Sequence, residues 1–288
     1  MPRPLYDVPL RDGSVLPLGR RTLIMGVLNV TPDSFSDGGH HFDVAAAIRA
    51  AREMVSAGAD ILDVGGESTR PGAAPLPVEE ELRRVVPVLE AIRELGAMVS
   101  IDTYKAAVAE RAIELGALFI NDISAMTYDP PIAEVAARLG AVVILMHNRG
   151  RPSKMYEFAR YDNVIEEIGS ELAVQARAAG QAGIARERIV IDPGFGFAKR
   201  AGHSLEALAR MAELHRLGYP ILSGPSRKSF LQEGLGERQP SGRIWGTAAA
   251  VTASVLAGAH IVRVHDVPEM ADVIRVADSI DARATLSS

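Results

Sequence analysis

Asn29, Asp102, Asn121, His147, Asp192, Arg263 and His265 share a position in the sequence: each stands at or next to the end of a short apolar run. The stretches Gly65 to Arg70 and Ser223 to Lys228 follow such runs as well. Taken singly, any of these residues reads as a helix cap or a solvated loop residue, and Asp192, before Pro193 and Gly194, as a turn residue. As a set they combine carboxylates that only accept hydrogen bonds, amides that do both, and cations that only donate. A site built from all three can hold a hydrogen-bonding ring and an anion together.

Other chemistries find little support. There is no G-x-x-x-x-G-K-[ST] phosphate loop, no G-x-S-x-G nucleophile elbow and no H-E-x-x-H zinc pair. Gly194-Phe195-Gly196 begins like a dinucleotide fingerprint, but Lys199 occupies the place of the third glycine. His40-His41 lacks metal-ligand spacing. A Ser-His-Asp triad is spatial and stays open, though nothing points to one.

The elements that must carry the polar set follow one repeating pattern. A helical stretch ends in Gly, usually followed by Ala, and a short apolar run comes next. The joints are Gly58, Gly96, Gly116, Gly140, Gly218 and Gly258, with Gly183 as a looser copy. A helix commonly ends on a left-handed residue that glycine adopts at least cost, so the repeat marks helix-to-strand junctions. The apolar runs are Leu23 to Leu28, Ile61 to Val64, Met98 to Ile101, Leu118 to Ile120, Val142 to Met146, Ile189 to Ile191, Ile221 to Leu222 and Ile261 to Val264. Near-continuous Val, Ile and Leu mark strands covered on both faces, hence parallel ones. Between them apolar residues recur every three or four positions, as from Val78 to Leu95, where Pro87 predicts a kink. Asp266 before Val267-Pro268 predicts a capped start for the last helix.

Eight such units fit a single-domain α/β (β/α)₈ TIM barrel, whose usual size is about 250 residues. An open doubly wound sheet is the alternative, disfavoured by eight nearly equal units without a break in composition. Residues 1–21 form an N-terminal extension and 22–288 the barrel.

The 288 residues are 48% hydrophobic and 23% charged, with a net charge of −5 and no basic stripe, so nucleic acid is not an expected partner. There is no cysteine, which fits a reducing compartment and makes the cytoplasm the default location. Ile244 to Val262 is the longest weakly polar run. It holds Trp245, Thr247, Thr252, Ser254 and His260 and breaks at Gly258, which reads as a buried helix followed by a strand and not a membrane span.

Six segments carry a family resemblance. They are NVTPDSFSDGG from Asn29, DILDVGGESTRPG from Asp60, SIDT from Ser100, DPGFGFAK from Asp192, SGPSRKS from Ser223 and RVHDV from Arg263. Together they resemble dihydropteroate synthase, from about Thr22 to the end of the last helix. Met146-His147-Asn148-Arg149-Gly150 departs from the M-H-M-x-G more usual there, which leaves the detail of the fifth loop open.

That resemblance implies a Mg²⁺-dependent transferase of folate synthesis and a homodimer. The family joins 6-hydroxymethyl-7,8-dihydropterin diphosphate to p-aminobenzoate, and sulfonamides compete with the amine. By motif position it implies that Asp102, Asn121, Met146, Asp192 and Lys228 bind the pterin. Asn29, Thr69, Arg70, Arg263 and His265 would face the diphosphate, Asn29 also holding the metal. Phe35, Thr69, Pro71, Phe197 and Ser226 would shape the p-aminobenzoate pocket, and Asp102, Lys228 and Arg70 would act in catalysis. Phe35, an aromatic in a polar loop, would close over a ligand. The rivals are a methyltetrahydrofolate-binding methyltransferase, which needs no diphosphate site, and a paralogue that only binds pterins.

Overall fold

All eight apolar runs are strands in the computed structural model, which describes residues 3–31, 44–68, 72 and 74–285. An antiparallel hairpin comes first, β1 (Tyr6–Pro9) and β2 (Val15–Leu18). The parallel strands are β3 (Leu23–Asn29), β4 (Ile61–Gly65), β5 (Met98–Asp102), β6 (Phe119–Asp122), β7 (Val142–Met146), β8 (Ile189–Asp192), β9 (Leu222–Ser223) and β10 (Ile261–Val264). Helices lie between them: α1 (Val44–Ser56), α2 (Val78–Ile92), α3 (Ala106–Glu114), α4 (Pro131–Leu139), α5 (Val164–Gln181), α6 (Ala201–Ala209), the single turn α7 (Gln232–Leu235), α8 (Ile244–Leu256) and α9 (Val267–Thr285).

The strands pair in chain order from β3 to β8, and β10 joins β9 to β3. A parallel bridge between Ile191 and Ile221, with the Ile191 amide donating to the Pro220 carbonyl at 2.9 Å, links β8 to β9 and completes the ring. That contact decides for the barrel over the open sheet. No helix among the described residues is long and apolar enough to cross a membrane.

The seven glycine joints all have positive φ, between 65° and 107°. At five of them the next residue (Ala59, Ala117, Ala141, Ile184 or Ala259) donates its amide to the carbonyl five positions back at 2.9–3.1 Å. This is the closing bond of a left-handed helix end, and it delivers the chain straight into the next strand. α2 runs on through Pro87 as one helix, so the proline removes a ladder bond without ending it. Asp266, at the start of α9, gives its carboxylate to Arg227.

Alternation sorts each strand's residues between two cores. On β4, Leu62 and Val64 face the helices, while Ile61 packs inside the ring. The interior cluster also holds Met25, Phe119, Val142, Ile144, Val190, Leu222 and Ile261, together with Val8, Leu10 and Leu18 from the hairpin segment. The hairpin therefore closes the N-terminal end of the barrel. Arg188 donates to the Pro9 carbonyl at 3.0 Å and buried Arg3 pairs with Asp278 at 2.9 Å, tying this segment to the barrel wall.

Candidate active site

Two residues further along the same strands, the inward positions change character. Ile61 is followed on its face by Asp63, Phe119 by Asn121, Ile144 by Met146, Val190 by Asp192 and Ile261 by Arg263. Register brings these ends together, since Asn29 pairs with Gly65, Gly65 with Asp102 and Asp102 with Asn121, while Met146 pairs with Asp192. A pocket opens above them, lined by Asp102, Asn121, Met146, Asp192, Phe197, Lys228 and Arg263, with Ile123, Gly194, Phe195 and Gly224. It lies at the C-terminal end of the barrel, where this fold places its chemistry.

Four of the polar groups are bonded to one another. Arg263 donates from Nε to Asp63 at 2.6 Å and from a terminal nitrogen to Asp102 at 2.7 Å. Asn121 donates to the same Asp63 oxygen at 2.9 Å. Asp192 accepts from the Gly194 amide at 2.7 Å, and the Lys228 ammonium stands 4.1 Å from the centre of the Phe197 ring. Burial pushes the Asp192 carboxyl up to about 6, against its bond from Gly194 and the pull of Lys228. Burial also raises Asp102, against Arg263, and lowers the Lys228 ammonium to about 8 with Arg263 adding to the effect. Low polarity thus weakens the hold of each group on its charge and strengthens any ion or hydrogen bond offered from a ligand.

Loop geometry holds these side chains out. All four non-glycine residues with positive φ among the described residues, Ala125, Met126, Ala198 and Arg227, lie in loops that leave the C-terminal ends of strands. Such strain clusters where a surrounding structure fixes a site. Arg227 is fixed by Thr247, whose hydroxyl accepts its amide at 3.0 Å, and by Arg243 on its carbonyl at 2.8 Å, and Lys228 follows directly. Gly194 has φ 65°, and a Cβ there would stand 2.2 Å from the His147 carbonyl oxygen, so only glycine fits where this loop crosses.

Seven of the residues singled out in the sequence therefore line one pocket. Asn29 ends its strand beside them. Ser226 and His265 pair with each other, the serine hydroxyl bonding the histidine amide at 3.1 Å and its ring at 3.0 Å. Phe35, Thr69, Arg70 and Pro71 lie outside the described residues. His147 follows a strand as Asp192 does, yet it is fully buried away from the pocket, between Glu171 at 3.0 Å and Lys199 at 2.8 Å. Burial lowers it to about 4, with Lys199 adding to the shift, so it is neutral. The Lys199 ammonium also donates to the Gly194 and Phe197 carbonyls at 3.1 and 3.0 Å, bracing the loop that carries three pocket residues, Gly194, Phe195 and Phe197. Asp63 and Lys199 are the members that sequence reasoning missed.

A model of the family described as pterin binding enzyme matches residues 25–265. The dihydropteroate synthase of Synechocystis is 46% identical over 277 residues, covering 96% of each chain. The chain belongs to the dihydropteroate synthase family. Its members are transferases, and so is this chain. A Yersinia pestis dihydropteroate synthase, solved as a sulfonamide drug complex, superposes with a TM-score of 0.90 at 41% identity, covering 96% of this chain and 100% of that one. A Xanthomonas albilineans dihydropteroate synthase solved with 4-aminobenzoic acid gives 0.88 at 41%, covering 96% and 99%. A match of this length to dihydropteroate synthases sets the methyltransferase alternative aside.

Proposed function

We propose that this chain joins the methylene carbon of 6-hydroxymethyl-7,8-dihydropterin diphosphate to the amino group of p-aminobenzoate, giving 7,8-dihydropteroate and diphosphate. The observation that carries this reading is the pocket itself, where two buried carboxylates, an amide and two cations converge. A pterin edge offers an amino group and a ring N–H beside acceptors. Asp192 accepts from the first pair, Asn121 and Lys228 serve the rest of the edge, and Met146 lies against the ring. The diphosphate is assigned to Arg263, His265 and Asn29, and by family motif to Thr69 and Arg70. Phe197 and Ser226, with Phe35, Thr69 and Pro71, shape the place of the amine, the class of ligand held by the Xanthomonas relative.

Substitution at the methylene is dissociative. The C–O bond breaks with its electron pair passing to the diphosphate, the pterin ring and the Asp102 carboxylate stabilise the cation that remains, and the aniline nitrogen then adds and loses a proton. A neutral aniline needs no strong base, so the chemistry asks of the pocket only cations and carboxylates for binding and charge stabilisation. Catalysis comes from stabilising the departing charge and from positioning by Lys228, Arg70 and Asp102.

Among the described residues no cluster of three or more His, Cys, Asp or Glu could hold a metal ion. A Cβ on Gly65 would stand 3.6 Å from both Asn29 Oδ1 and an Asp102 oxygen, so glycine leaves two hard oxygens facing one gap. This suits Mg²⁺, which takes one or two protein oxygens and completes its shell with water and phosphate. Asn29 would hold it, and it would neutralise charge on the leaving diphosphate.

The working form is a cytoplasmic homodimer. Exposed Trp245 and Leu256 on α8, and Val276 and Ile280 on α9, supply an apolar surface on two helices that pack together. Sedimentation of Trp245→Glu, expected as a monomer beside a dimeric parent, checks it.

The reaction is tested by labelled diphosphate exchange with purified protein, pterin diphosphate and Mg²⁺. Label is expected to enter the pterin substrate before any amine is added. No exchange under conditions that make dihydropteroate would rule out the dissociative order.

A further inference from the structure

Asp63 is fully buried and does not line the pocket, yet two residues that do line it depend on it. Its Oδ2 accepts from Asn121 Nδ2 at 2.9 Å and from Arg263 Nε at 2.6 Å, and Arg263 reaches on to Asp102 at 2.7 Å. A carboxylate can only accept, so the side of the Asn121 amide facing Asp63 must be its nitrogen. The amide oxygen is then the atom left for the pocket. Arg263, a planar fork, is held between carboxylates on β4 and β5, which fixes the orientation of its remaining N–H groups.

We propose that Asp63 is a positioning residue: it never touches substrate, but it determines which atom of Asn121 meets the pterin and where the Arg263 guanidinium stands. That the ligand is a pterin rests on the reaction proposed above. Asp63 belongs to the apolar interior by its place on the strand, two positions after Ile61 and at the register of Ser100. An apolar residue there would complete the barrel core, whereas a lone buried carboxylate is costly unless bonded to donors such as these. Its second oxygen, Oδ1, has no partner among the described residues. Asp63→Asn can therefore keep both existing bonds through one oxygen, with the amide nitrogen in place of Oδ1, and it removes charge without removing shape.

The test uses the full-length protein and calorimetry with 6-hydroxymethyl-7,8-dihydropterin, the alcohol without diphosphate, so that binding is read without turnover. Asp63→Asn is expected to weaken this ligand about 10-fold and Asp63→Ala about 100-fold, the size of one or two charge-assisted hydrogen bonds. The KM for p-aminobenzoate should stay within about 2-fold in Asp63→Asn, since the two residues Asp63 holds, Asn121 and Arg263, serve the pterin and its diphosphate and not the amine. Asp63→Asn should also cost less in an Asn121→Ala background than alone, as coupled residues do. A folded Asp63→Asn and Asp63→Ala that bind pterin like the parent overturn the assignment, and so does an equal loss for both substrates that tracks a fall in melting temperature. If the parent itself binds no pterin, the proposed reaction falls and the assignment with it. If the parent binds and turns over while both variants match it, the assignment falls alone.

Discussion

The two ends of the barrel are built from the same strands and the same inward face, only two residues apart, and they do opposite things. At the N-terminal end Met25, Ile61, Phe119, Val190 and Ile261 pack against the hairpin residues Val8, Leu10 and Leu18. At the C-terminal end Asp63, Asn121, Asp192 and Arg263 occupy the next inward positions with Asp102 and Lys228. One end gains by removing apolar surface from water. The other holds buried carboxylates and cations whose desolvation opposes folding, offset by the bonds among Asp63, Asn121, Asp102 and Arg263, the Gly194 amide on Asp192 and the Phe197 ring under Lys228. Stability and chemistry are thus divided along one axis, and the division can be tested from both sides.

The largest expected effect is at the polar end. Asp192→Asn should weaken pterin binding and turnover by roughly 100- to 10,000-fold, the worth of two hydrogen bonds to a charged group. It should leave the fold at least as stable as the parent. The reason has a definite sign. Asp192 titrates at about 6 in the folded protein, against about 3.9 in an unfolded chain, so the folded state binds its proton more tightly. The contribution of this group to stability therefore falls as pH rises from about 4 to about 6. Asp192→Asn lacks that group, so its melting temperature should gain on the parent across this window and hold a constant lead above it. A variant that melts below the parent at pH 7 would contradict the division.

At the apolar end Leu18→Ala, in the hairpin, should cost about 2–5 kcal/mol of stability by denaturant unfolding, as buried leucines do. Its kcat/KM, measured well below its melting temperature, should stay within about 2-fold, because the hairpin packs at the far end from the pocket. A tenfold loss of activity with full folding would show that the two ends are coupled. The smallest effect belongs to neither end. Arg216 pairs with Glu166 at 2.7 Å on the outer surface, and Arg216→Ala should change stability by about 0.5 kcal/mol or less and activity not at all.

Much of this was legible in the sequence. Strands covered on both faces write themselves as unbroken Val, Ile and Leu, and the helix-to-strand joints show because a left-handed turn calls for glycine, as at Gly58 and Gly258. Asp102, Asn121 and Asp192 were readable because strand ends carry the polar rim. What stayed hidden depends on direction and register. Asp63 sits inside an apolar run, and nothing local says that it points into the barrel beneath Asn121 and Arg263. His147 looks like its neighbour on the rim, but Glu171 on α5 and Lys199 beyond β8 draw it out of the pocket. Those partners lie 24 and 52 residues away along the chain, and only the closed ring brings them together. The hairpin was visible as a segment but not as a plug, since its apolar residues find their partners inside a barrel that forms from later sequence.

The most direct measurement is a parallel one on the parent, Asp192→Asn and Leu18→Ala. Each purified, folded protein is incubated with 6-hydroxymethyl-7,8-dihydropterin diphosphate, Mg²⁺ and radiolabelled p-aminobenzoate, and labelled dihydropteroate is counted against released diphosphate. The parent and Leu18→Ala should form the two products one for one at similar rates, while Asp192→Asn forms almost none. A folded parent that makes no dihydropteroate, or an Asp192→Asn that makes it at the parent's rate, would contradict the account.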